Sequence, residues 1–126
     1  MKTRFSLTAL AGLLSACAPA PQPPLATTVC DLATHAQRTV QIDAAVGVDS
    51  AGKTMISDTG CPATQIELRL SAAGTRGGGA EQLKSAAQQA VGSGKSSFPV
   101  KLTGVYTQDP SGAYFAADSV TVVPPG

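Results

Sequence analysis

His35 is the sole imidazole in the chain, so acid–base or nucleophilic chemistry would have to run through it. Ser57 or Ser119 would serve as nucleophile, and a carboxylate would orient the ring. No spacing along the chain groups these residues, and a lone histidine on a short helical segment reads as a surface or partly packed residue. Asp43, Asp49, Asp58, Asp109 and Asp118 offer carboxylates for calcium or for a paired-acid site, but none falls at the spacing of a calcium loop. Most stand at turns or between apolar strand positions, where an aspartate shapes the turn and faces water. No catalytic residue, cofactor or metal is therefore expected, and the chain is read as a non-enzyme; a small hydrolase is the weakest of the readings.

The segment Val91-Gly92-Ser93-Gly94-Lys95-Ser96 invites comparison with a phosphate-binding P-loop, whose glycines, lysine and hydroxyl surround nucleotide phosphates. The full spacing needs glycine where Gln89 stands, with a strand before the loop and a helix after it. Here the helical pattern comes first and the strand follows. A linker is the expectation.

Cys17 has a different context. Met1-Lys2-Thr3-Arg4 is a basic start, Phe5 to Leu14 is an apolar run, and Ser15-Ala16 supply small residues before the cysteine, the layout of a secretory leader. The apolar run is too short for a transmembrane helix, which needs about 20 such residues. Leu14-Ser15-Ala16-Cys17 resembles the lipobox of bacterial lipoproteins, and that resemblance implies cleavage before Cys17 and a diacylglycerol on its sulfur. Acyl chains contribute about 0.8 kcal/mol per buried methylene, so two or three of them, palmitate among them, anchor firmly where one would not. Lipoprotein sorting implies the outer membrane, on its periplasmic side or at the cell surface, because Ala18 rather than Asp follows the cysteine.

Loss of residues 1–16 removes Lys2 and Arg4 and leaves seven Lys plus Arg against eight Asp plus Glu. A nearly neutral domain has no broad basic field to gather phosphates, so nucleic acid is not expected as a partner. Cys30 and Cys61 would then sit in an oxidising compartment, where one disulfide is expected between them. As metal ligands they would need two more donors, and His35 is the one imidazole on offer.

The elements that must position these residues follow from pattern. Ala18 to Pro24 is proline-rich and extended, a spacer. Asp31 is placed to cap a short helical turn over Val29–Gln37. Val40, Ile42, Ala44, Val46 and Val48 alternate with Thr39, Gln41, Asp43, Ala45 and Gly47, the clearest strand in the chain. Asp49-Ser50-Ala51-Gly52 turns into a second strand over Lys53–Ser57, Asp58 to Pro62 breaks the pairing, and Ile66, Leu68 and Leu70 mark a third strand. Ser71–Gly79 reads as a mobile loop because glycine ordering is costly there. Leu83, Ala86, Ala87, Ala90 and Val91 recur at helical spacing. Phe98, Val100 and Leu102 open a fourth strand with Gly104 as a bulge, and Asp109-Pro110-Ser111-Gly112 turns into a fifth.

Three strands, one helix and two strands resemble the OB-fold, a five-stranded Greek-key barrel. The segments Val29-Cys30-Asp31-Leu32, Asp58 to Pro62 and Tyr114 to Val122 are also similar to small secreted bacterial OB-like domains. The same layout allows an open α+β sheet with one helix packed on it. The organisation is thus a leader at 1–16, a lipidated linker at 17–27, a mainly β, OB-like domain at 28–123 carrying the disulfide, and a tail at 124–126. The OB resemblance implies a binding surface on the outer wall near Arg69, Lys101, Tyr106 and Tyr114, beside Ser71–Gly79. Tyr106 and Tyr114 are alternatively a stabilising pair across a hairpin. The functional expectation is a non-catalytic envelope lipoprotein, held to the membrane by its lipid, that binds a protein or glycan. The alternative is an assembly accessory that recruits another envelope protein through a strand edge.

Overall fold

The computed structural model describes residues 23–124. The expected leader at 1–16, the expected lipidation site Cys17 with the start of the linker, and residues 125–126 of the expected tail lie outside the described residues. The order is β1 (Leu25–Thr28), a 3-10 segment (Val29–His35), β2 (Thr39–Val48), β3 (Thr54–Ser57) and β4 (Ile66–Leu70). Then come helices α1 (Ala72–Arg76) and α2 (Gly79–Gly92), followed by β5 (Ser97–Asp109) and β6 (Gly112–Val122).

The strands close on themselves. β2 pairs antiparallel with β3, β3 with β4, and β5 with both β6 and β2, while β4 and β6 run parallel. The ring β2-β3-β4-β6-β5 is a closed five-stranded barrel with the helical segment between its third and fourth strands, consistent with an OB-like fold and not with an open sheet.

Alternation sends Val40, Ile42, Ala44 and Val46 of β2 inward to meet Ile56, Leu68, Val100, Leu102 and Phe115. No polar side chain of the described residues is buried in this core. The 3-10 segment plugs the end of the barrel near Val40 and Tyr106, where Val29 (1% exposed) and Leu32 (0%) fill the opening. Burying each such side chain contributes about 1.5–3 kcal/mol. α2 covers the other end with Ala86, Ala90 and part of Leu83. Cys30 on the plug is bonded to Cys61 after β3, with an S–S distance of 2.06 Å and Cα atoms 5.8 Å apart.

Gly104 marks a bulge, as expected, but the extra residue is on the facing strand: Thr103 pairs with Ser119 and Gly104 with Ala117, so Asp118 of β6 is skipped. A Cβ at that position would collide with the Ala116 carbonyl oxygen and the Ala117 Cα, so the two strands approach closely there because the residue has no side chain.

Three sequence expectations change. The linker ends earlier than residue 27, because Leu25–Thr28 forms a parallel ladder on β2 from Leu25↔Val40 to Thr28↔Asp43, with Leu25 packed against the core. Ser71–Gly79 is not a mobile loop, because Ala72–Arg76 is helical. Ser71 Oγ accepts from the Gly74 N–H at 3.2 Å, and the Ser71 N–H donates to the Ala117 carbonyl at 3.0 Å. The helix lies close on β6 because Gly74 is buried where a Cβ would strike that same carbonyl. Asp31 is not the cap of the 3-10 segment. Thr28 holds that position, and Asp31 sits in the first turn, with its backbone carbonyl accepting from Thr34 Oγ1 at 2.7 Å.

Candidate functional site

Because Ile66 and Leu68 face inward, β4 turns Glu67 and Arg69 outward. On β6 the inward Phe115 likewise turns Tyr114 out. The parallel register sets Glu67 beside Tyr114 and Arg69 beside Ala116. Arg69 leans back along the wall over Tyr114, its guanidinium carbon 4.2 Å from the ring centroid, within the range of a cation–π contact. Glu67 grips the same guanidinium at two points, accepting from Nη2 at 3.2 Å and from Nε at 3.3 Å. The side chains are 46% exposed for Arg69 and 25% for Glu67.

The charges stabilise one another. The hydrogen bond from Arg69 holds the Glu67 carboxyl below its ordinary 4.5, against a partial desolvation that acts the other way. The same bond raises the already high pKa of Arg69, with Asp109 and Tyr114 adding to it. Asp109, in the adjoining β5–β6 turn, accepts from Ser111 Oγ at 2.6 Å and from the Ser111 N–H at 2.9 Å. The Ser111 hydroxyl is the main reason its pKa falls below 3.8, and the Arg69 charge contributes. The result is a fixed cation lying on a ring, bracketed by ionised carboxylates. Such a group recognises by stacking, hydrogen bonding and charge.

Of the expected binding residues, Arg69 and Tyr114 are brought together. Lys101 is not with them. It lies on β5 between Asp43 and Thr121, 4.0 Å from Asp43 Oδ1, and six residues of strand, roughly 20 Å, separate it from Thr107, the partner of Tyr114. Tyr106 does not face solvent. It is 5% exposed, points inward opposite Phe115, and its hydroxyl accepts from Gln108 Nε2 at 3.1 Å. The two tyrosines are therefore not a cross-strand pair, because Tyr114 stands opposite Thr107 and faces the other way. The Ser71–Gly79 segment continues directly from β4, so α1 does adjoin Arg69.

Glu67 was not among the expected site residues, and Asp109, expected as a turn former, holds its turn and also adds to the field at Arg69. Glu67 carried a usable signal, since residues two apart on a strand share a face.

The other candidates occupy structural positions. The Ser93, Gly94 and Lys95 N–H groups donate back to the carbonyls of Gln89, Ala90 and Val91, so the glycine-lysine segment closes α2 and does not present an anion cradle. Asp49 and Asp58 accept backbone N–H groups within their own turns. His35 ends the 3-10 segment, half-buried, and no hydrogen bond joins its side chain to Ser57 or Ser119 among the described residues. Among those residues no three His, Cys, Asp or Glu side chains gather as a metal set. Comparison with protein-family models, curated proteins and solved structures finds no match to this chain.

Proposed function

We propose that this chain is a non-catalytic envelope lipoprotein whose barrel wall binds a protein or glycan partner. The observation that carries the reading is Arg69, clamped by Glu67 and laid across Tyr114 on an outer wall beside the β5–β6 turn. A group already fixed before binding loses little side-chain freedom when a partner arrives, and aromatic and arginine side chains dominate such contacts. The basic and apolar start with Leu14-Ser15-Ala16-Cys17 supports anchoring through lipid on Cys17, and Ala18 supports the outer membrane. Near-neutral charge supports a partner other than nucleic acid.

Co-purification from solubilised membranes tests the binding reading. The wild-type chain is expected to retain a stoichiometric protein or a glycan, and the Arg69→Ala, Tyr114→Ala double variant to lose it with its fold intact. Equal retention by both chains refutes the site. Fatty-acid labelling lost in Cys17→Ser tests the anchor, and a label that persists in the variant overturns it.

One feature favours the assembly-accessory reading. Among the described residues β1 is the end strand of the sheet order, hydrogen-bonded to β2 alone. Its outer edge offers backbone groups to an added strand. That reading expects capture to survive the double variant and to fail when the exposed Ala26 and Thr28 are both changed to Lys, which blunts an edge.

A further inference from the structure

The residues that α2 turns toward the barrel are mostly alanines, which fill little space. On the flank facing the start of β5 and the end of β6 they leave an open trough of about 520 Å³. That is within the size range of small-ligand pockets, about 300–1,000 Å³. Its walls are Ala86 and Ala90 from α2, Phe98 and Pro99 from β5, and Val122 and Val123 from the end of β6.

One backbone position in this lining has little left to offer a polar ligand. Pro99 has no N–H, and its carbonyl accepts from the Val123 N–H at 3.1 Å. Gln89, Ser93 and Lys95, all exposed, also line the trough. The Lys95 backbone N–H is tied to Ala90, which holds the residue at the trough. Among the described residues the ion pairs are Arg69–Glu67 and Lys101–Asp43, so the Lys95 ammonium has no carboxylate partner. An apolar channel whose described lining holds one basic residue, the exposed Lys95, complements an apolar chain ending in an anion.

We propose that this trough binds a medium-chain fatty acid, with the chain along Phe98 and Val122 and the carboxylate at Lys95. The site is separate from the Arg69–Tyr114 wall. Ser97 and Thr107 mark the two locations on β5, ten residues or roughly 30 Å of strand apart. The inference does not depend on the partner reading above.

The test uses the exported full chain carrying Cys17→Ser, which bears no acyl group, in detergent-free buffer. Decanoate titrated below its micelle concentration is followed by calorimetry and by amide shifts. Saturable one-site binding is expected, with shifts at Ala86, Ala90, Val122 and Val123. Decanol, with the same chain and no charge, should bind about tenfold more weakly, and Lys95→Gln should remove that difference. Gln89→Trp, at an exposed rim position, should block the trough, while Lys84→Gln on the opposite flank of α2 should change nothing. Equal affinities for decanoate and decanol, shifts confined to the other flank, self-association without binding, or no saturable binding would each overturn the proposal.

Discussion

Breaking the Cys30–Cys61 bond removes a constraint that acts mainly on the unfolded chain. The bonded residues are 31 positions apart. The chain-entropy relation for a loop of about that length gives roughly 12 cal/mol/K, or about 3.7 kcal/mol at 25 °C. For a domain of this size each kcal/mol moves the unfolding midpoint by about 4–8 °C, so reduction should lower it by about 15–30 °C. Thermal unfolding followed by circular dichroism, with and without reductant and in a Cys30→Ala, Cys61→Ala variant, measures the drop. The plug supplies a control, because Leu32 is fully buried and Leu32→Ala should cost about 2–5 kcal/mol by itself. If the bond acts through the unfolded state, the two losses add. If it instead holds the plug in the barrel, reduction and Leu32→Ala overlap and the combined loss falls short of the sum. A midpoint that moves less than about 5 °C on reduction, or a clearly sub-additive pair, refutes the entropic account.

Gly104→Ala should destabilise by about 1–3 kcal/mol, because the new methyl meets the backbone of Ala116 and Ala117 rather than a side chain that can move; denaturant unfolding reads this out, and an unchanged midpoint would show that the bulge yields. The Glu67 carboxyl should titrate below 4.5 in the folded chain, and Arg69→Gln should return it toward that value, as carboxyl carbon shifts would report. Since the folded pKa is depressed, the stability this pair contributes is present above the unfolded pKa and is lost as pH falls through the folded one. Tyr106→Ala should cost about 3–5 kcal/mol as a core truncation, whereas Tyr114→Ala should leave the unfolding midpoint nearly unchanged; comparable losses would contradict the opposite facing of the two rings.

The legible parts of the fold are those whose information is local. β2 declares itself through five apolar residues at alternate positions, and the Asp49–Gly52 and Asp109–Gly112 turns through their own side chains. Tyr106 was legible too, since Phe98, Val100, Leu102 and Gly104 share its phase, and the inward direction follows from counting by twos. β1 and α1 were not legible because each is held by something distant. Leu25–Thr28 is a strand only because β2 lies beside it, and Ala72–Arg76 lies flat only because Gly74 meets the Ala117 carbonyl. The Arg69–Tyr114 contact joins residues 45 positions apart through a parallel register, and periodicity within one segment does not report on which strand lies next to it.

The position of β6 in the chain sets the timing of folding. Its 11 residues bond to both β4 and β5, and it is the last of the described strands to be made. A chain that emerges amino terminus first can pair β2 with β3 early, and Cys30 and Cys61 are both present by then. The barrel cannot close until Gly112–Val122 is free. Until that moment β4 and β5 show bare edges on which strands of other chains can add, and the long loops that must close slow the final step. Between the emergence of β5 and that of β6, those two edges are therefore the part of the barrel most open to strand addition.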